Sequence, residues 1–151
     1  MDVPISEVNT AETRISTEPG SFVMVVEDDT AFRWLLSEAL SGEGFEVLTA
    51  ANGREALQLY RENIGKVWLV VADVMMPEMD GLTAASEMRK IDDNVCFIFM
   101  SGYDTERIDE IGVKLEDIPR SNFLRKPFGL RDMTSRIRAL EGHRKGAGNA
   151  K

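Results

Sequence analysis

Val67-Trp68-Leu69-Val70-Val71-Ala72-Asp73-Val74-Met75-Met76-Pro77-Glu78-Met79-Asp80-Gly81 is the stretch on which the fold turns. Its first six residues are apolar, the run ends on one carboxylate, and Pro77 and Asp80-Gly81 then mark a loop. A short apolar run bounded by turn residues reads as a buried strand. Asp73 is thereby delivered to the C-terminal end of that strand, where open α/β sheets bind ligands. An Asp in this place is also a common turn former or helix cap, and the stretch alone leaves both readings open.

Two other apolar runs change the balance. Phe22-Val23-Met24-Val25-Val26 ends on Glu27-Asp28-Asp29, and Phe123-Leu124 is followed shortly by Lys126-Pro127. Three strand ends therefore carry complementary charge.

With 151 residues the chain has room for one domain with a proper core and too little for two of ordinary size. A hydrophobic content of 43% with 29% charged residues is that of a soluble globular protein. No apolar run approaches the roughly 20 residues of a membrane span, and the first 20 residues lack the basic start and apolar centre of a secretory signal. The expected location is cytoplasmic, with no membrane partner. A net charge of −8 argues against direct nucleic-acid binding, which needs a basic surface, and favours cations. Cys96 sits in the apolar run Val95 to Met100 and is expected to be a buried, inert thiol. With one Cys and one His no zinc spacing exists, and His143 falls in a polar tail and is given no role.

Taken in order, residues 1–20 read as a disordered leader or linker, 21–141 as the folded domain and 142–151 as a flexible tail. After the strand at Phe22 to Val26, Thr30 is the expected N-cap of an amphipathic helix that ends at Gly42 and Gly44. Phe45 to Ala50 is a second strand, expected near an edge, and Asn52-Gly53 opens a second helix through Ala56, Leu57 and Tyr60. The organising strand follows, then a helix from Gly81 to Ile91 and a fourth strand, Val95 to Met100, leading to Ser101-Gly102-Tyr103-Asp104. From Thr105 to Arg120 the period weakens around Gly112 and Pro119, and a short or irregular helix is expected. A last strand, Asn122 to Arg125, and a helix marked by Leu130, Met133, Ile137 and Leu140 close the domain. Five strands alternating with helices imply an α/β fold: a doubly wound, five-stranded parallel sheet covered on both faces.

If Glu27, Asp28 and Asp73 meet at one end of such a sheet, they repel one another unless a cation intervenes. Mg²⁺ suits this set, because it takes oxygen ligands, keeps several waters and is typically shared between carboxylates and a phosphate. Phosphoryl transfer then needs a nucleophile and further donors for the phosphoryl charge. Asp73, at the tip of a central strand, is the candidate nucleophile; Ser101 can donate its hydroxyl and Lys126 its charge.

These four motifs resemble the receiver domain of two-component response regulators, the CheY-like superfamily with its flavodoxin-like fold. That pattern has an acidic pair after the first strand, a phosphorylated Asp after the third, Ser or Thr after the fourth, and Lys-Pro after the fifth. Here the matching residues are Glu27-Asp28, Asp73, Ser101 and Lys126-Pro127-Phe128, over a span from about Phe22 to Leu140. The resemblance implies Asp28 as the principal Mg²⁺ ligand, with Glu27 acting mainly through water and Met75 offering its backbone carbonyl. It implies that Lys126 pairs with Asp73, that the bond to Pro127 is cis, and that Ser101 and Phe123 form the switch. Phe123 read simply as a core residue is the plainer alternative. Met75 and Tyr103, each two residues past a site residue, would flank the phosphoryl group.

The implied function is phosphoacceptance from the phosphohistidine of a histidine kinase or phosphotransfer protein. A downstream protein target would dock on the face made by the fourth helix, fifth strand and fifth helix. The segment between Ser101 and Lys126 departs from the family's pattern, which leaves the choice of target open. A homodimer through the last helices is compatible with the sequence and not required by it. An alternative is the C-terminal receiver segment of a hybrid sensor histidine kinase. An aspartyl-phosphate hydrolase is the outsider, since such phosphatases place a second Asp two residues after the first, where this chain has Met75. On the main reading the protein is a signalling domain and not an enzyme.

Overall fold

The computed structural model describes residues 21–102, 114–118 and 120–149. Five strands, β1 (Phe22–Val26), β2 (Glu46–Ala50), β3 (Val67–Asp73), β4 (Cys96–Ser101) and β5 (Ser121–Arg125), form one sheet in the order β2-β1-β3-β4-β5. Every neighbouring pair is parallel. Four described α-helices connect or follow them: α1 (Thr30–Gly42), α2 (Gly53–Glu62), α3 (Gly81–Ile91) and α4 (Leu130–Asn149). β2 lies at an edge, as its mixed sequence suggests, and all seven residues of central β3 are buried.

Alternate side chains of the strands divide between two cores. On one face Val70, Phe97 and Phe99 pack with Tyr60 of α2 and Leu82 and Met88 of α3; on the other, Val71, Ile98 and Met100 pack with Leu36 and Leu40 of α1 and Met133 and Ile137 of α4. Burial on both faces is why β1, β3 and β4 read as unbroken apolar runs. The chain steps from β1 outward to β2, then returns past β1 to β3, so the connections after β1 and β3 leave on opposite sides. The crevice at their C-terminal ends is the switch point at which such sheets bind ligands.

Several boundaries differ from the sequence expectation, each for a local reason. Asp29, not Thr30, caps α1: its extended backbone lets Oδ1 accept the Phe32 N–H at 3.0 Å, while Thr30 is already helical. Phe45 stays out of β2 because its N–H closes α1 on the Leu40 carbonyl, 3.1 Å away. Ser101 belongs to β4, paired with Arg125. α4 continues to Asn149, beyond the last apolar marker at Leu140 and through residues read from the sequence as tail. In the weakly patterned region a single 3-10 turn, Leu115–Asp117, is described; residues 103–113 and Pro119 lie outside the described residues.

Candidate acidic site at the strand ends

Because β1 and β3 are adjacent and parallel, with Val26 opposite Ala72, the residues that follow them arrive side by side. Glu27, Asp28 and Asp73 each place a carboxylate oxygen within 4.8 Å of the others. Glu27 is 1% exposed and Asp73 8%, whereas Asp28 is open to solvent. Lys126, just past β5, reaches back across the strand ends: its Nζ lies 3.0 Å from Glu27 Oε1 and 3.1 Å from Asp73 Oδ2. The Lys126 N–H donates to the Ser101 carbonyl at 2.8 Å, and the bond to Pro127 is cis, as the Lys-Pro motif implies. Nζ also stands 4.9 Å from the centre of the Phe32 ring, which in turn meets Phe128 edge-on.

Glu27 is also held by the chain around it. Its Oε2 accepts the Asp29 N–H at 3.1 Å, and its main-chain carbonyl accepts from Arg33 Nη1 at 2.7 Å. Burial, and then the charge of Asp73, push its carboxyl above the ordinary range, against the pull of the Asp29 amide and Lys126. For Lys126 burial disfavours the ammonium, but Asp73 and Glu27 together outweigh it and hold its pKa above the usual lysine value. Three carboxylates face one bonded ammonium, so the cluster keeps an excess of negative charge.

The loop after β3 is ordered by main-chain bonds. Asp73 Oδ1 accepts the Met75 N–H at 3.1 Å, Val74 donates to Met100 and Gly81 to Val74 at 2.8 and 2.9 Å. Gly81 has no room for a side chain, since a Cβ there would stand 2.3 Å from the Asp73 carbonyl oxygen. Ser101 is 2% exposed at the end of β4. Phe123 is half-buried against the core that holds Phe99, its partner across β4 and β5, and its carbonyl accepts from Arg136. Met75 is half-buried beside the same core. Tyr103, the second expected flanking residue, lies outside the described residues. A cleft of about 630 Å³ opens at this end of the sheet between Asp28, Phe32, Gly102, Lys126 and Phe128.

The donor set suits a hard divalent cation. All three side chains offer anionic oxygens, their mutual repulsion is only partly met by Lys126, and the exposed Asp28 leaves a side on which waters can complete the shell. Sequence reasoning anticipated Glu27, Asp28, Asp73 and Lys126 as neighbours. It did not anticipate Phe32 against the ammonium or Arg33 on the Glu27 carbonyl, both of which occupy the first turn of α1.

No described helix is long and apolar enough to cross a membrane. The sequence profile of the response regulator receiver domain matches residues 23–138. The chain is 36% identical over 140 residues to the sensor kinase CckA of Brucella abortus, covering 92% of this chain and 14% of that protein. It is 36% identical over 132 residues to the alkaline phosphatase synthesis transcriptional regulatory protein SphR of Synechococcus elongatus, covering 83% of this chain and half of that regulator. Among solved structures, the receiver domain of the hybrid histidine kinase CckA superposes with a TM-score of 0.66 at 32% identity, over 78% of this chain and 96% of that one. The chain thus spans half or less of these longer relatives and nearly the whole of the isolated receiver domain. Profile, fold and the four motifs on their strand ends agree: the protein belongs to the response regulator receiver domain family of two-component signalling.

Proposed function

We propose that Asp73 accepts a phosphoryl group from the phosphohistidine of a histidine kinase or phosphotransfer protein, with Mg²⁺ held by Asp28, Asp73 and the Met75 carbonyl and supported by Glu27. The observation that carries this reading is the convergence of Glu27, Asp28 and Asp73 within 4.8 Å, with Lys126 bonded to Asp73. In the transfer an Asp73 carboxylate oxygen forms the new bond to phosphorus. The bond from phosphorus to the donor imidazole breaks, and its electron pair stays on that nitrogen. Bound Mg²⁺ supplies positive charge to the phosphoryl oxygens. Lys126 turns from Asp73 towards the same charge, and the Met75 N–H fixes the attacking carboxylate in the meantime.

Ser101 then donates its hydroxyl to a phosphoryl oxygen, and Phe123 moves inward as it does so. Phe123 carries no hydroxyl, so its response is one of packing. Met75 shields the phosphoryl group from water, and the change reaches a protein target through the face that includes β5 and α4. Intact-protein mass after incubation with acetyl phosphate and Mg²⁺ tests this. Wild type gains one phosphoryl group, EDTA prevents the gain, and Asp73→Asn shows none. Equal labelling of wild type and Asp73→Asn removes Asp73 from the role.

The similarity to the CckA receiver supports a second reading, in which this chain is the receiver segment of a hybrid sensor kinase. A reading frame that runs upstream into a kinase domain would favour it. A frame without one favours a stand-alone receiver.

A further inference from the structure

The loop of residues 74–80 presents Met75 to Asp73, and one of its anchors comes from a different part of the chain. The N–H of Gly53, the first residue of α2, donates to the Met79 carbonyl at 3.1 Å. Gly53 is buried against that peptide: a Cβ built on it would stand 2.3 Å from the Met79 oxygen and 2.9 Å from its carbon. These are main-chain atoms, so no rotamer change relieves the overlap. The start of α2 is itself held firmly, with Asn52 Oδ1 accepting the Glu55 N–H at 2.8 Å and Glu55 Oε1 accepting the Ala51 N–H at 2.6 Å.

On the other side of the contact the loop has little slack. Met79 donates to the Pro77 carbonyl at 2.8 Å, Glu78 between them sits at φ +70, and Gly81 is bonded to Val74. A side chain at position 53 must therefore push the Met79 peptide away from α2. The displacement passes along a short, doubly tied loop to Met75, whose N–H holds an oxygen of Asp73.

We propose that Gly53 is a positioning residue for the acidic site: by bringing the N-terminus of α2 into contact with the Met79 carbonyl, it sets the loop that holds Met75 against Asp73. The inference rests on the reading of Asp73 and Met75 as members of an Mg²⁺ site. Mg²⁺ titration of wild type, Gly53→Ala and Gly42→Ala, together with the amide NMR shift of Met75 in the metal-free proteins, tests it. Gly42 lies in a helix with open space around it and serves as the control. Gly53→Ala is expected to bind Mg²⁺ about tenfold more weakly, the effect of disturbing a support behind metal ligands, and to move the Met75 resonance. Gly42→Ala should keep both. Wild-type binding with unchanged affinity in Gly53→Ala overturns this inference and leaves the metal site standing. Absence of Mg²⁺ binding in wild type overturns both. Should Gly53→Ala not fold, Asn52→Ala loosens the same end of α2; it must weaken Mg²⁺ binding and shift Met75 in the same direction, and an unchanged affinity refutes the proposal.

Discussion

Replacing Lys126 with Met keeps the length and apolar stem of the side chain and removes its charge. The ammonium lies 3.0 Å from Glu27 and 3.1 Å from Asp73, with the three side chains 25%, 1% and 11% exposed. At an effective dielectric of about 20 each contact contributes about 5 kcal/mol of attraction, and withdrawing the ammonium from water takes back several. Arg33 remains on the Glu27 carbonyl and the ammonium is partly solvated, so a net loss of about 2–3 kcal/mol is expected, somewhat below that for a fully buried pair. The loss depends on conditions in a way that a packing defect does not. A divalent cation restores positive charge to the cluster, so Mg²⁺ shrinks it. Acid shrinks it too, because Glu27, whose folded pKa is raised by burial and by Asp73, gains stability as pH falls through that value and takes up its proton more readily still without Lys126. Urea unfolding of wild type and Lys126→Met, in EDTA and in saturating Mg²⁺ at pH 7.5 and 5.5, reads all three terms. A penalty under about 0.5 kcal/mol in EDTA at pH 7.5 is ordinary surface behaviour and refutes the reasoning, as does a penalty indifferent to metal and pH.

Three other outcomes follow from single contacts. In wild type the Lys126 contribution is fully present below the ordinary lysine value, about 10.4, and is lost as pH rises through its elevated folded value, a decline that alkaline unfolding of Lys126→Met lacks. Tyr60 is buried with no hydrogen-bond partner for its hydroxyl among the described residues, and burial, then the charge of Asp92, push its pKa up to about 12. Tyr60→Phe should hold or raise stability by about 1 kcal/mol in urea unfolding, and a clear loss would reveal a partner for the hydroxyl. Asp29→Ala should cost about 1 kcal/mol as a lost cap while Thr30→Ala costs little, and the reverse order would return the cap to Thr30.

The parts of this molecule that were legible in its sequence are those written in local pattern. Runs such as Val67 to Ala72 declare strands buried on two faces, and the charged residues that end them declare which end of the sheet is functional. At the start of α1 the sequence does not choose between Asp29 and Thr30, both good caps, and the backbone angles decide for Asp29. Phe32 against Lys126, Gly53 against Met79 and the attachment of Glu27 to Lys126 itself join residues far apart in the chain, and their meeting depends on strand order and helix placement that no local period encodes. The contact at Gly53 left one trace, the Asn52-Gly53 pair, which reads equally well as an ordinary helix start.

The bond between Lys126 and Glu27 spans 99 positions of sequence. On a ribosome adding about 5–20 residues per second, Glu27 emerges roughly 5–20 seconds before Lys126 does. During that interval β1 and β3 can pair through the α1, β2 and α2 segment, bringing Glu27 and Asp73 together with no ammonium between them. The growing chain therefore carries an electrostatic debt at the centre of its sheet until the fifth strand arrives. Docking of that strand is drawn by charge as well as by its apolar face, and nascent chains cut short before Lys126 should depend on free divalent cations to hold their sheet closed.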